Sequence, residues 1–205
     1  VIGVTATPFR SGKQRQFGLD YSYIVEGLSF AEGVRREILS KPRYFTRDAP
    51  DLSEVGTDSE NGDYIESQMF KKYDTPERYS GVVKAFKEIC NNEKSICFCC
   101  NQAHAIKTCL EFVNAGISAK FMTSGISKKS EHYDLYEQNK HLTGEEDEIL
   151  EEFNQGKFTV LVNVAKYIAG FDEPSIINVI FNRATLSLSL WLQAGCRGSD
   201  RKSVV

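Results

Sequence analysis

The tripeptide Gly170-Phe-Asp172 follows closely on the apolar run Val160-Leu-Val-Asn-Val164, and Gln193, Arg197 and Arg201 recur at four-residue intervals beyond the next apolar stretch. A glycine lets main chain approach a phosphate or sugar closely. An acid beside it can accept from a ribose hydroxyl or orient an arginine. An arginine offers a planar fork of donors with fixed charge, and one that reaches a γ-phosphate across a cleft is worth about 10³ to 10⁵ in rate. A second loop of similar character, Thr5-Ala-Thr7, lies within Val1-Ile-Gly-Val-Thr-Ala-Thr-Pro8. These are parts suited to gripping a nucleoside triphosphate from the side.

Buried strands and helices must carry such loops. Val1 to Thr5 reads as a strand, and the Gly-, Arg- and Lys-rich stretch from Phe9 to Asp20 as an exposed loop. Ser29 is placed to cap a helix over Phe30 to Ile38, limited by Pro42. The stretch from Asp48 to Asp63 is acidic, with Pro, Gly and Ser and no apolar period, and reads as a linker. Thr75-Pro76-Glu77 opens a helix with proline at its first position, and Val82, Val83, Phe86, Ile89 and Cys90 form its apolar face. Strands then alternate with helices: strand Ser95 to Cys100, a helix with Ile106, Cys109, Leu110 and Val113 on one face, and strand Ser118 to Met122. A helix with Ile149, Leu150 and Phe153 follows, then strands Thr159 to Val164 and Ile176 to Phe181, and a last helix around Leu188 to Leu192. The polar excursion from Ser124 to Gly144 is long for a loop in a compact domain, so it reads as either a functional flap or a disordered insertion, with mobility expected. The alternation implies an α/β fold with a mostly parallel sheet covered by helices on both faces. Chemistry in such folds sits at the carboxyl ends of the strands.

The chain has 205 residues, 41% hydrophobic and 26% charged, with a formal net charge of -3, enough to bury a full core. That charge excludes a generic polycation coating nucleic acid, though not a local basic groove. No apolar run approaches the length of a membrane span, and no secretory leader pattern is present, so a cytoplasmic protein is expected. Three of the six cysteines fall in Cys97-Phe-Cys-Cys100. In a strand, Cys97 and Cys99 share one face while Cys100 takes the other, a geometry that does not converge on zinc. They read as small core residues of a reducing compartment. The apolar opening without Met, and a strand-like Val204-Val205 at the other end, lead us to expect a piece of a longer polypeptide.

Taken together, Thr-Ala-Thr-Pro, Gly-Phe-Asp-Glu-Pro-Ser and Gln-x-x-x-Arg-Gly in this order resemble the late motifs of superfamily 2 helicases and translocases, the DEAD/DEAH-like ATPases. Within them the pattern is similar to the restriction-subunit and phage-type branch. The resemblance covers nearly the whole chain and implies a RecA-like three-layer sandwich. It divides the chain into 1–47, the end of a first motor domain; 48–74, a linker; and 75–205, the second RecA-like domain. Arg197, Arg201 and Gln193 would then serve catalysis at an interdomain ATP site. Gly170, Asp172, Thr5 and Thr7 would touch nucleotide or couple its hydrolysis to closure. ATP and Mg would be held mainly by the first motor domain. Asn101, Gln102, Thr123, Ser124 and Lys128, at or near strand ends, would contact a nucleic-acid backbone without reading its bases, DNA in preference to RNA. His104, at a helix start, reads as structural.

Two departures from the family pattern stand in the last motif. Cys196 replaces a glycine, and Asp200 occupies the second arginine position, with Arg201 one place later. A carboxylate about 6 Å from a phosphate charge costs about 3 kcal/mol at an effective dielectric near 20, so Asp200 must point away or pair with an arginine. The chain contains no Gly-x-x-x-x-Gly-Lys-Ser/Thr phosphate loop. On its own it is therefore expected neither to hydrolyse ATP nor to unwind a duplex. The competing readings are a non-catalytic α/β nucleic-acid-binding or interaction module derived from the same fold and, more remotely, an α/β transferase with a nucleotide-sugar site.

Overall fold

The computed structural model describes residue 2, residues 21–164 and residues 173–199. Thr5, Thr7, Gly170, Asp172, Asp200 and Arg201 lie outside the described residues, as do the expected strand at Val1 to Thr5 and the Phe9 to Asp20 loop. The described elements run α1 (Phe30–Arg35), α2 (Glu66–Tyr73), α3 (Pro76–Ile89), β1 (Ser95–Cys99), α4 (Gln102–Asn114), β2 (Ala119–Met122), α5 (Tyr133–Gln138), α6 (Glu146–Asn154), β3 (Val160–Val164), β4 (Asn178–Asn182) and α7 (Leu188–Gly195), with 3-10 turns at Lys140–Leu142 and Cys196–Gly198.

The strands form one parallel sheet in the order β2-β3-β1-β4. Both central strands, β1 and β3, are buried along their whole length, which is why Ser-Ile-Cys-Phe-Cys and Val-Leu-Val-Asn-Val read as continuous apolar runs rather than alternating ones. Cys97, Cys99, Val160 and Val162 face α3 and α4 through Val83, Phe86, Ile106 and Phe112. Ile96, Phe98 and Leu161 face α6 and α7 through Ile149, Phe153 and Ala194. The result is the three-layer α/β sandwich expected from the alternation.

Local signals account for several boundaries. The Thr75 hydroxyl accepts from Arg78 N, with Pro76 at the first turn of α3. Ser29 caps α1 as expected, accepting from Glu32 N at 3.2 Å, but the helix ends at Arg35 and Glu37 turns left-handed, φ 60°. At the amino end of the sheet Lys94 Nζ lies over the Phe153 ring, 4.5 Å from its centre, and 3.5 Å from Glu173 Oε1, and it also bonds the Ser175 hydroxyl. This staple ties residues 173–175 to the start of β1.

One stretch differs from the sequence expectation, and a second has order that no apolar period announced. The Ser124 to Gly144 excursion, expected to be mobile as a functional flap or a disordered insertion, folds into α5 and a 3-10 turn, and packs Tyr133, Leu135, Tyr136 and Leu142 against the core. The aperiodic stretch before α2 is ordered by polar side chains. Asp58 Oδ1 accepts from Glu60 N at 2.7 Å and Asn61 N at 3.2 Å, and Asn61 Oδ1 accepts from Asp63 N at 2.8 Å. Val55 and α2 residues Met69 and Tyr73 then close over Cys100 as a third small apolar cluster.

Candidate nucleic-acid and nucleotide interface

All four strands end at the same edge of the sheet, and the loops there carry the residues with chemistry. Asn101 follows β1 and serves as the N-cap of α4, its Oδ1 accepting from His104 N at 2.9 Å. Its side-chain oxygen is thereby committed to the helix. Gln102, one residue on, points outward. Its Nε2 donates to Ser124 O at 2.7 Å and to Ser124 Oγ at 3.0 Å. Because β3 lies between β1 and β2, this bridge joins two non-adjacent strands across the end of the strand between them. Both residues are exposed or half-buried, while the hydroxyl of the adjoining Thr123 is buried without a hydrogen-bond partner. Gln102, Thr123 and Ser124 are thus brought together at one point of this edge. Lys128 lies apart from them, exposed at the start of the turn that precedes α5.

Beside this group lies Asn163, a residue the sequence reading treated only as part of a strand. It is fully buried in β3, in register with Phe98 of β1 and Met122 of β2, and neither its amide nitrogen nor its oxygen has a partner among the described residues. Orphaned buried polar groups are rare and each costs about 1–3 kcal/mol. The only sequence signal for it was an amide inside an otherwise apolar run.

His104 is structural, as read. It is fully buried, its ring centre 5.6 Å from those of Tyr73 and Tyr79 and 5.9 Å from that of Phe70. Cys100 N donates to Nδ1 at 3.2 Å, and Nε2 lies 3.2 Å from Asn182 Nδ2. Burial pushes the imidazole down to about 4, against the pull of Asp74, with Lys107 and Arg183 lowering it further.

At the end of β4, Arg183 is 3% exposed and donates to Asp63 Oδ2 at 3.1 Å. Asp63 also accepts from Thr185 Oγ1 at 2.7 Å and from Leu186 N at 2.7 Å. This buried carboxylate fixes the loop that launches α7, whose N-cap is Ser187. Gln193 and Arg197 follow. Gln193 is half-buried in α7, with its Nε2 3.4 Å from Ser189 Oγ. Arg197 is half-buried in the 3-10 turn. That turn is held against β4 at close range: a Cβ added at Gly198 would lie 3.1 Å from Val179 Cγ2. Ser40 N donates to Ser199 O at 2.8 Å, tying the turn to the segment after α1. Cys196 takes φ −68°, ψ −14°, ordinary right-handed backbone, so replacing the family's glycine leaves the turn undistorted.

Five cysteines, Cys90, Cys97, Cys99, Cys100 and Cys109, are free thiols buried in the core, and Cys196 is exposed. Burial raises the thiols of Cys100 and Cys109, the latter to about 12. Among the described residues no group of three or more His, Cys, Asp or Glu could hold a metal ion, and no helix is long and apolar enough to cross a membrane.

No family model matches the chain. Two curated proteins do. One is a "51.5 kDa protein" of a Lactococcus phage (isolate 7-9), 29% identical over 200 residues, covering 96% of this chain and 39% of that protein. The other is a putative mitochondrial ATP-dependent helicase, irc3, of Schizosaccharomyces pombe, 30% identical over 180 residues, covering 86% of this chain and 26% of that protein. The chain therefore spans well under half the length of either relative. Among solved structures, the helicase domain of Pyrococcus furiosus Hef aligns with a TM-score of 0.39 at 27% identity, over 58% of this chain and 22% of that one. S. cerevisiae Dbp5 bound to RNA and ADP BeF3 aligns at 0.44 and 13%, over 58% and 28%. The chain thus combines a three-layer fold on a parallel sheet with similarity, along most of its length, to a putative ATP-dependent helicase.

Proposed function

We propose that the chain supplies the second RecA-like half of an ATP-dependent nucleic-acid helicase or translocase. Residues 75–205 form that half, 1–47 close the first motor domain, and 48–74 connect them. Gln193, Arg197 and Arg201 face the triphosphate from the side, with Gly170, Asp172, Thr5 and Thr7 coupling nucleotide to closure. The first motor domain holds most of the ATP and its Mg. Gln102, Thr123 and Ser124, with Asn101 and Lys128 flanking, take the backbone of a nucleic acid, DNA in preference to RNA, in the cytoplasm.

The observation that carries this reading is the Gln102–Ser124 bridge beside the orphaned Thr123 hydroxyl at the carboxyl edge of the sheet. Neutral donors there suit phosphate oxygens and carry no base information. Cys196, in place of the family's glycine, favours the alternative of a non-catalytic module. Its right-handed backbone removes the steric part of that objection.

The test has two arms. The 205-residue chain should bind an oligothymidylate with affinity that falls as salt rises, and Gln102→Ala should weaken it. In the full-length polypeptide Arg197→Ala should abolish ATP turnover, by about 10³-fold or more, while binding persists. Salt-independent binding, or turnover untouched by Arg197→Ala, would sink the proposal. The chain alone should show no steady turnover.

A further inference from the structure

The segment Lys41-Pro-Arg-Tyr-Phe-Thr-Arg47 has no part in the site above, yet it interleaves aromatics with cations and contains no acid, in a chain whose net charge is -3. It has no helix or strand structure, and Lys41, Arg43, Tyr44, Phe45 and Arg47 are all exposed, Tyr44 by 69% and Phe45 by 59%.

The strap is nevertheless fixed in place. Ser40 N bonds Ser199 O at its start, Arg47 pairs with Glu88 and Arg78 bonds Asp48 O at its end. At its centre the Tyr44 ring stacks on Trp191 of α7, with centres 6.1 Å apart and planes inclined by 21°. The Arg43 guanidinium lies 6.0 Å from the Phe45 ring centre, in cation–π range. Anchored at both ends, the strap holds its rings ready before any ligand arrives.

We infer that residues 41–47, with Trp191, form a stacking platform for single-stranded nucleic acid: bases lie on Phe45 and on the Tyr44–Trp191 pair, and Lys41 and Arg43 meet the intervening phosphates. Aromatic faces accept any base, and cations beside them follow the backbone, the combination by which single strands are held without sequence preference. An apolar protein partner would gain nothing from the unpaired positive charge along the strap. This inference rests on the nucleic-acid reading above but uses a different surface.

Trp191 is the only tryptophan, so its fluorescence reports on the platform directly. Titration of the 205-residue chain with an oligothymidylate should quench it. Phe45→Ala should weaken binding about 5- to 150-fold, the range for loss of one stacked base. Tyr44→Phe, which keeps the stack, should bind like the parent. Lys41→Gln with Arg43→Gln should flatten the slope of log affinity against log salt by about 1.4. Far-UV circular dichroism should be unchanged by Phe45→Ala, because that ring is solvent-exposed. Gln102→Ala separates the two surfaces: it should lower affinity while leaving the quench at saturation intact. Unaltered affinity in Phe45→Ala overturns the platform even if Gln102→Ala still weakens binding. Quenching by ATP but not by the oligonucleotide would make the strap a nucleotide-base site and overturn it equally.

Discussion

Replacing Asp63 by alanine should be among the most destabilising single substitutions in this chain. The Arg183 guanidinium is 3% exposed and would keep its bond from Nε to Ala184 O at 3.2 Å, but its Nη2 would lose the carboxylate of Asp63. Thr185 Oγ1 and Leu186 N would each lose an acceptor at 2.7 Å. A buried charge stripped of its partner costs about 3–5 kcal/mol, whereas an exposed pair is worth about 1 kcal/mol at most. The expected loss is a large fraction of the about 5–15 kcal/mol that holds a typical domain together. Urea unfolding, followed by far-UV circular dichroism, should show the midpoint falling at unchanged m. Combining Asp63→Leu with Arg183→Met should recover about 2 kcal/mol relative to the sum of the single losses, because the double variant buries no unpaired charge. A loss below about 1 kcal/mol for Asp63→Ala, or additivity in the cycle, would refute the view that this carboxylate bolts the loop before α7 to the segment before α2.

Two further outcomes follow from the buried polar groups. Asn163→Leu should stabilise the chain by about 1–3 kcal/mol in the same unfolding assay, since it replaces an amide with two orphaned atoms by an apolar group of like size; a destabilised variant would mean the amide is satisfied. His104 is held at about 4 in the fold against an ordinary value of about 6.5, so the unfolded chain binds the proton first. Stability should therefore fall as pH drops from about 6.5 towards 4, by about 3 kcal/mol in all, and flatten below that. His104→Asn should lack this part of the pH dependence, and parallel curves for the two proteins would rule the assignment out.

The sequence made the α/β core readable because its signals there are local or periodic. Thr75-Pro76 marks the start of α3 through a cap and a fixed φ, and the apolar runs of β1 and β3 follow from burial on both faces. The stretch from Asp48 to Asp63 was opaque for the opposite reason. Its order comes from carboxylates and amides accepting from nearby backbone N–H groups, and from Asp63 meeting Arg183 across 120 positions, neither of which leaves an apolar period. Helix α5 is only six residues long, too short for a face to emerge from its tyrosines. In the site, Gln102 and Ser124 could be named as strand-end polar groups, but not that they bond each other over β3. That Asn101 also caps α4 depends on where the helix begins. The orphaned state of Asn163 depends on what its neighbours fail to offer, which no motif encodes.

The distribution of thiols has a practical corollary. Five are sealed in the core, where burial keeps Cys100 and Cys109 from ionising, and Cys196 alone is exposed, one residue before Arg197 and at the foot of the helix that carries Trp191. A maleimide dye added to the folded chain should attach at that single position without any engineered cysteine. Paired with the native tryptophan as energy donor, it gives this domain a built-in distance gauge across its last helical turns.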